Sequence, residues 1–167
     1  MAFLRLPPSA LPFVHMTSYA SDAADRQFVH IRVFDASPQQ IFRAFEPDRL
    51  ARWWGPEGVT NTIHSLDFTP GGRWVYTMHG PKGTNYDNEC EFVEILPPQR
   101  IVLRHLLPVH TFELSFTLAP AGDGRQTELT WVQRFDTQEE ADRVRAFVPT
   151  ANEQNLDRLA VELKRIN

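Results

Sequence analysis

The reactive side chains of this 167-residue sequence do not form a catalytic or cofactor-binding pattern. Its one cysteine, Cys90, lies between Glu89 and Glu91, and neighbouring carboxylates disfavour the thiolate that a nucleophile requires. The sequence has no Gly-x-Ser-x-Gly elbow and no Gly-x-x-x-x-Gly-Lys-Ser/Thr phosphate loop. We therefore expect Cys90 to be an inert buried thiol, and we predict no catalytic residues and no cofactor.

Six histidines are the remaining candidates for acid–base chemistry or metal binding. None of them pairs at the spacing by which a helix presents two metal ligands. His105 and His110 flank a short turn and could face one another, but a metal site needs more than two ligands. The sequence predicts no metal site. A group such as His64, His105 or Asp87 would support catalysis only if it pointed into a cavity with a perturbed pKa.

The composition is that of one ordinary domain, with 42% hydrophobic and 23% charged residues. The net charge of −4 and the absence of a long run of either sign argue against a surface for nucleic acid or anionic membranes, and we expect no membrane insertion because no stretch is long and apolar enough to span a bilayer. A single cysteine cannot form an intrachain disulfide, so we predict a reducing, cytoplasmic location. Twelve Phe, four Trp and three Tyr suit either a dense core or an apolar pocket.

Residues 1–25 are predicted to be an extension, and residues 26–167 the folded domain. Pro7, Pro8 and Pro12 interrupt the apolar residues near the start and leave no continuous signal-peptide core. We expect a flexible terminus, with a short arm that docks on the domain or on a partner as the alternative. Met16 is a further candidate for the natural first residue, so the sequence does not decide whether residues 1–15 belong to the native protein.

Alternation and turn residues predict seven strands. In the first, residues 27–35, the side chains of Val29, Ile31 and Val33 share one face. Six more strands are predicted at residues 60–68, 73–79, 86–95, 101–107, 111–118 and 126–135. The intervening segments are rich in proline and glycine, and their spacing suits sequential antiparallel hairpins.

Capping signals predict two short helices between the first two strands. Ser37 and Gln40 form a Ser-x-x-Gln capping box for the first helix, and Gly55 ends the second. After the last strand, apolar residues at three- and four-residue steps predict a long C-terminal helix. Pro149 lies inside this pattern and should break the helix near Val148.

This order of elements predicts an α+β fold in which a curved seven-stranded antiparallel sheet wraps around the long C-terminal helix. The apolar face of the sheet must be covered, and only that helix is long enough to cover it. Because the sheet twists and curls, a space can remain between the sheet and the helix.

An ordered set of motifs resembles one known family. The motifs are Trp53-Trp54-Gly55-Pro56, Pro70-Gly71-Gly72-Arg73-Trp74, Gly80-Pro81-Lys82-Gly83, Pro97-Pro98-Gln99-Arg100-Ile101 and Leu156-Asp157-Arg158-Leu159. Over residues 27–165 the chain resembles the START-like, or SRPBCC, branch of homologues of the activator of the heat-shock-protein-90 ATPase. The resemblance implies a helix-grip fold with a cavity for lipids, sterols, polyketides or other hydrophobic ligands. The eukaryotic activator carries a further N-terminal domain, so its co-chaperone activity is not carried over.

Strand alternation within this fold indicates the side chains that face the cavity. The candidate lining residues are Trp74, Tyr76, Met78, Phe92, Phe116, Trp131, Gln133, Phe135, Val148 and Asn152. The alternative is a solid core, in which Gln133 and Asn88 would need hydrogen-bond partners. Asn152 replaces a tryptophan of many relatives, and the helical stripe favours a surface position for it over a contact with a ligand. Of Trp53 and Trp54, one is expected to plug the helical insert against the sheet and the other to form part of the cavity rim or of an exposed patch.

Three functions remain open from the sequence. The leading hypothesis is a module that binds a small hydrophobic or aromatic molecule, with Gln133 or Asn152 orienting it. The alternatives are a cyclase- or hydrolase-like enzyme that uses the same cavity, and a chaperone-accessory or regulatory module that binds a protein partner. The sequence does not identify the ligand or the oligomeric state, and a homodimer is among the options.

Overall fold

The computed structural model describes residues 25–106 and 111–166, which form seven strands and four helices in the predicted order. The strands are β1 (Gln27–Phe34), β2 (Thr60–Leu66), β3 (Arg73–His79), β4 (Asn85–Leu96), β5 (Arg100–His105), β6 (Phe112–Ala121) and β7 (Gln126–Phe135). The helices are α1 (Pro38–Arg43), α2 (Pro47–Trp53), α3 (Gln138–Val144) and α4 (Val148–Leu163). The predicted N-terminal extension and the predicted turn between His105 and His110 lie outside the described residues.

The strands form one antiparallel sheet in the order β1-β7-β6-β5-β4-β3-β2. Successive hairpins join β2 through β7, and β1 closes the arrangement by pairing with β7, which leaves β1 and β2 at the edges. Register shifts occur between Ile63 and Ser65 and between Phe92 and Glu94. Such bulges increase local twist, which helps the sheet to curve around α4. The predicted α+β helix-grip fold is confirmed.

The alternation in β1 is as predicted, but its aliphatic set lies on the solvent side. Val29, Ile31 and Val33 are 48%, 63% and 50% exposed, whereas His30 and Phe34 are buried. The buried set faces α4, so aromatic and histidine side chains occupy the concave side of this edge strand.

Local capping fixes the two-helix insert between β1 and β2. The capping box is complete: Ser37 N donates to Gln40 Oε1 at 2.8 Å, and Gln40 N donates to Ser37 Oγ at 3.3 Å. Trp53 is fully buried, and its indole Nε1 donates to the carbonyl oxygen of Ala44 at 2.8 Å. Trp53 is therefore the tryptophan that plugs the insert against the sheet.

The long C-terminal pattern breaks where Pro149 predicts, because α3 ends at Val144 and α4 begins at Val148. The apolar interior is divided in two as well. A large cluster lies under α1, α2 and the second half of α4, and a small one contains Phe28, Phe135, Ala141 and Val144. Within residues 25–106 and 111–166, no helix is long and apolar enough to cross a membrane.

Candidate functional site

A cavity of about 210 Å³ lies between the concave face of the sheet and the first half of α4, where the two apolar clusters meet. Its described wall consists of Trp54, Pro56, Tyr76, Met78, Asn88, Phe112, Leu114, Trp131, Gln133, Phe135, Val144, Phe147, Val148, Ala151, Asn152 and Asn155. Phe147, in the break between α3 and α4, lines the cavity while 56% exposed. The cavity therefore reaches solvent beside this break.

The segment after α2 is held against the cavity by two side chains of α4. Gly55 N donates to Asn155 Oδ1 at 2.6 Å, and Arg158 Nη1 donates to three successive carbonyl oxygens beginning with that of Trp54, at 3.2, 2.7 and 3.0 Å. Gly55 has a φ of +97°, and a Cβ there would lie 2.8 Å from the terminal methyl of Met78. Only glycine allows this close turn, which brings Trp54 to the cavity.

Aromatic rings form one end of the cavity. The ring of Trp54 lies 5.9 Å from that of Trp131, and Trp74 stacks on Tyr76 at 4.0 Å. Trp54 Nε1 donates to the Tyr76 hydroxyl at 3.1 Å. Burial raises the pKa of Tyr76 well above its usual value, so this hydroxyl stays neutral at physiological pH.

A pair of amides forms the polar part of the wall. Asn152 Nδ2 donates to Gln133 Oε1 at 2.9 Å, and the two side chains are 5% and 6% exposed. The expectation that Asn152 is a surface residue is therefore wrong. The helical stripe places it correctly at an edge, but α4 lies close enough to β7 for the amide to reach Gln133.

The candidate acid–base groups lie elsewhere. His105 sits behind the wall, with its Nε2 3.1 Å from Asn88 Oδ1 and its ring stacked on Phe112. His64 and Asp87 both hydrogen-bond to Thr77, whose side chain lies on the opposite face of β3 from Tyr76 and Met78. Among the described lining residues, none is acidic, basic or histidine.

Two further candidates for chemistry are the thiol of Cys90 and a metal site. Burial raises the pKa of Cys90 to about 12, so its thiol is protonated at neutral pH, as the sequence predicts for an inert cysteine. In the part of the chain that the structure describes, no three His, Cys, Asp or Glu side chains are grouped to hold a metal ion.

Residues 35–164 match the model of one family, described as Activator of Hsp90 ATPase homolog 1-like protein. The chain belongs to this family. Its members have the SRPBCC-type fold, which commonly binds hydrophobic ligands. The resemblance seen in the sequence motifs is thus confirmed. None of the curated proteins matches the sequence.

Solved structures similar to this family member include a protein from Arthrobacter aurescens, with a TM-score of 0.79 and 22% identity over 86% of this chain and 89% of that one. A protein from Nitrosomonas europaea has a TM-score of 0.75 and 19% identity, covering 86% of this chain and 97% of that one. The AHSA1 protein from Silicibacter pomeroyi has a TM-score of 0.65 and 21% identity, covering 84% and 99%. At these identities the similarity shows the fold alone.

Seven of the ten predicted lining residues lie at the cavity. These are Tyr76, Met78, Trp131, Gln133, Phe135, Val148 and Asn152. Trp74, Phe92 and Phe116 instead lie in the large packed cluster and are at most 1% exposed. Phe92 packs on Phe68, and Phe116 packs on Phe45 just before α2. Alternation identifies the correct face of each strand, but the helical insert fills one end of that face.

Several residues of the wall are not among the residues predicted from the sequence, chiefly Ala151, Asn155 and Phe147 on or beside α4. The signal for the first two is their spacing, because Ala151 lies three residues after Val148 and Asn155 three residues after Asn152, which places each on the face of a predicted residue. Phe147 carries no such signal, since it becomes part of the wall only through the break between α3 and α4.

Proposed function

We propose that the protein binds a small, neutral, aromatic or hydrophobic molecule in this cavity. The observation that carries the proposal is an open space with an aromatic and largely apolar wall inside an otherwise packed interior. Protein interiors leave few voids larger than a water molecule, and unfilled space costs stability. A cavity of this kind is the usual form of a small-molecule site.

The volume limits the size of the ligand. A cavity of about 150 Å³ accommodates benzene, whereas sites for drug-sized ligands have about 300–1,000 Å³. The cavity of about 210 Å³ lies between these values. It supports a molecule of one or two rings rather than a sterol or a long acyl chain.

The charge of the wall limits the chemistry of the ligand. No described lining residue offers a charged partner, and an unpaired carboxylate or ammonium loses several kcal/mol on transfer from water to such a site. We therefore infer a neutral ligand. The same lack of an acid–base pair in the described wall favours binding over a cyclase- or hydrolase-like reaction, since Tyr76 is held neutral by burial.

A cytoplasmic location is part of the proposal. Its support is that the only cysteine of the sequence, Cys90, is a buried free thiol, as is usual for proteins of a reducing compartment.

The test is thermal unfolding with a panel of neutral one- and two-ring compounds, together with native mass spectrometry of gently purified protein. A ligand at about 100 times its Kd stabilises a folded protein by about 2.7 kcal/mol, which raises the Tm of a domain of this size by roughly 5–10 °C. Binding should also change tryptophan fluorescence, because Trp54 and Trp131 line the cavity. If every compound leaves both signals unchanged and no ligand copurifies, the proposal is wrong.

A further inference from the structure

We infer that the ligand carries a carboxamide or lactam group, which the amide pair of Gln133 and Asn152 recognises. This inference rests on the proposed function, because it specifies the chemistry of the molecule that occupies the cavity. It concerns the one amide pair in the described wall, whose other polar side chains, apart from the indole of Trp131, are already hydrogen-bonded.

The other amide side chains of the described wall are engaged by the protein itself. Asn88 Nδ2 donates to the Tyr86 carbonyl at 2.8 Å while its Oδ1 contacts His105. Asn155 accepts from the Gly55 amide. In Asn88 and Asn155, both the carbonyl oxygen and the NH₂ group therefore already have a partner in the protein.

The bond within the pair engages only two of its four polar groups. Each primary amide has one carbonyl oxygen and one NH₂ group. The bond from Asn152 Nδ2 to Gln133 Oε1 leaves the Gln133 NH₂ and the Asn152 carbonyl without a partner among the described residues. Both side chains line the cavity and are more than nine-tenths buried. A donor and an acceptor therefore lie side by side at the open space.

The pair keeps one free NH₂ group and one free carbonyl oxygen in either orientation of the two amides. The oxygen and nitrogen of Asn and Gln are assigned from their hydrogen-bond partners. If both amides were rotated by 180°, Gln133 would donate to Asn152, and one carbonyl oxygen and one NH₂ group would again remain. In either arrangement the pair offers one acceptor and one donor.

A carboxamide or lactam has the complementary pattern. Its carbonyl oxygen accepts from the NH₂ group of the pair, and its N–H donates to the remaining carbonyl. A ketone satisfies only the donor, and a hydrocarbon satisfies neither. A carboxylate places negative charge beside a carbonyl oxygen and loses its hydration without gaining a cation. The ring of Trp131, two residues from Gln133 on the same face of β7, adds an indole N–H that has no partner in the described structure.

The experiment uses four one-ring probes of similar size: benzamide, acetophenone, benzoate and toluene. Their Kd values are measured by calorimetry or tryptophan fluorescence on the full chain and on the double variant Gln133→Met/Asn152→Leu. These substitutions preserve side-chain shape and remove both amides together, so neither is left without its partner. Toluene binding reports whether the variant keeps its cavity.

We expect benzamide to bind the wild type more tightly than acetophenone, and benzoate to bind most weakly. Each hydrogen bond contributes about 3- to 10-fold in affinity. The ratio of the toluene Kd to the benzamide Kd should therefore fall by about 10- to 100-fold in the double variant, while toluene binds it at least as tightly as the wild type.

The outcomes separate the inference from the proposed function. If toluene binds and the ratio is the same in both proteins, the amide pair does not recognise the ligand and the inference is wrong, although the binding function stands. If no probe binds the wild type, the proposed binding function is wrong, and the inference that rests on it is wrong as well. Should the double variant not fold, the wild-type series decides alone, since acetophenone or benzoate binding as tightly as benzamide would overturn the inference.

Discussion

Filling the cavity from α4 should stabilise the protein and abolish ligand binding at the same time. The substitution is Ala151→Leu, at a lining position on the first half of α4. In a helix the leucine side chain leans toward the N-terminal turn, which here carries Phe147 and Val148. The added atoms would therefore enter the cavity near its opening.

The expected gain follows from the number of carbons added. Leucine has three more carbons than alanine, and each buried methylene contributes about 0.8 kcal/mol, which sums to roughly 2 kcal/mol. The helix propensities of the two residues differ by much less than this. The cavity of about 210 Å³ has room for the three carbons. The free energy of unfolding should rise by about 1–2 kcal/mol once lost side-chain entropy is included.

The measurement is urea denaturation, with toluene binding followed in parallel. The matched control is Ala141→Leu on α3, where the alanine is 0% exposed inside the small packed cluster. The same three carbons have no space there, and overpacking should destabilise the protein by about 1–3 kcal/mol. If Ala151→Leu destabilises the protein as much as Ala141→Leu does, the space beside α4 is not available to a side chain or to a ligand. The proposed function would then lose its main support.

Two further predictions concern groups around the cavity. Arg158→Met should lower the free energy of unfolding by about 2 kcal/mol in urea denaturation, because the three partly buried carbonyls that the guanidinium binds lose their donor. Arg158→Lys should restore only part of this stability, since an ammonium lacks the planar fork of a guanidinium. The control is Arg125→Met, at an 88% exposed residue, which should change stability by less than about 0.5 kcal/mol. Equal effects of the Arg158 and Arg125 variants would show that the bonds from Arg158 to these carbonyls do not stabilise the fold. Cys90 should resist iodoacetamide at pH 8 in the folded protein and react after unfolding, because burial raises its pKa from 9.0 to about 12 and reduces the thiolate fraction about a thousandfold. Labelling is followed by mass spectrometry. Rapid labelling of the folded protein would contradict the prediction, because it would show that the thiol is accessible and ionised.

The fold could be predicted because its signals are local. The Ser37 and Gln40 capping box, Gly55 and Pro149 each act within one turn of chain, and the structure places helix ends at all of them. Which face of β1 is exposed to solvent could not be predicted from local signals. Alternation gives the two faces of a strand, whereas the choice of buried face depends on what α4 contributes, such as Glu153 to His30.

The cavity wall was only partly predictable for a related reason. Trp74 and Tyr76 share a face of β3, yet only Tyr76 reaches the open space, because the insert that begins after β1 fills the other end. Asn152 is buried only because α4 and β7 approach each other across that space. Position along a strand and distance between elements are tertiary properties, and a residue pattern within one element does not contain them.

The two halves of α4 explain why one part of the interior is filled and the other is open. In the second half, Leu156, Leu159 and Leu163 are buried in the large cluster. In the first half, Ala151 is too small to fill the space. The amide of Asn152 is held by Gln133. Moving α4 inward to close the gap would disturb the hydrogen bond between these amides, at about 1–3 kcal/mol for each group left unsatisfied. The polar pair thus opposes closure of the gap, and the proposed preference for a neutral amide would have the same origin as the open space.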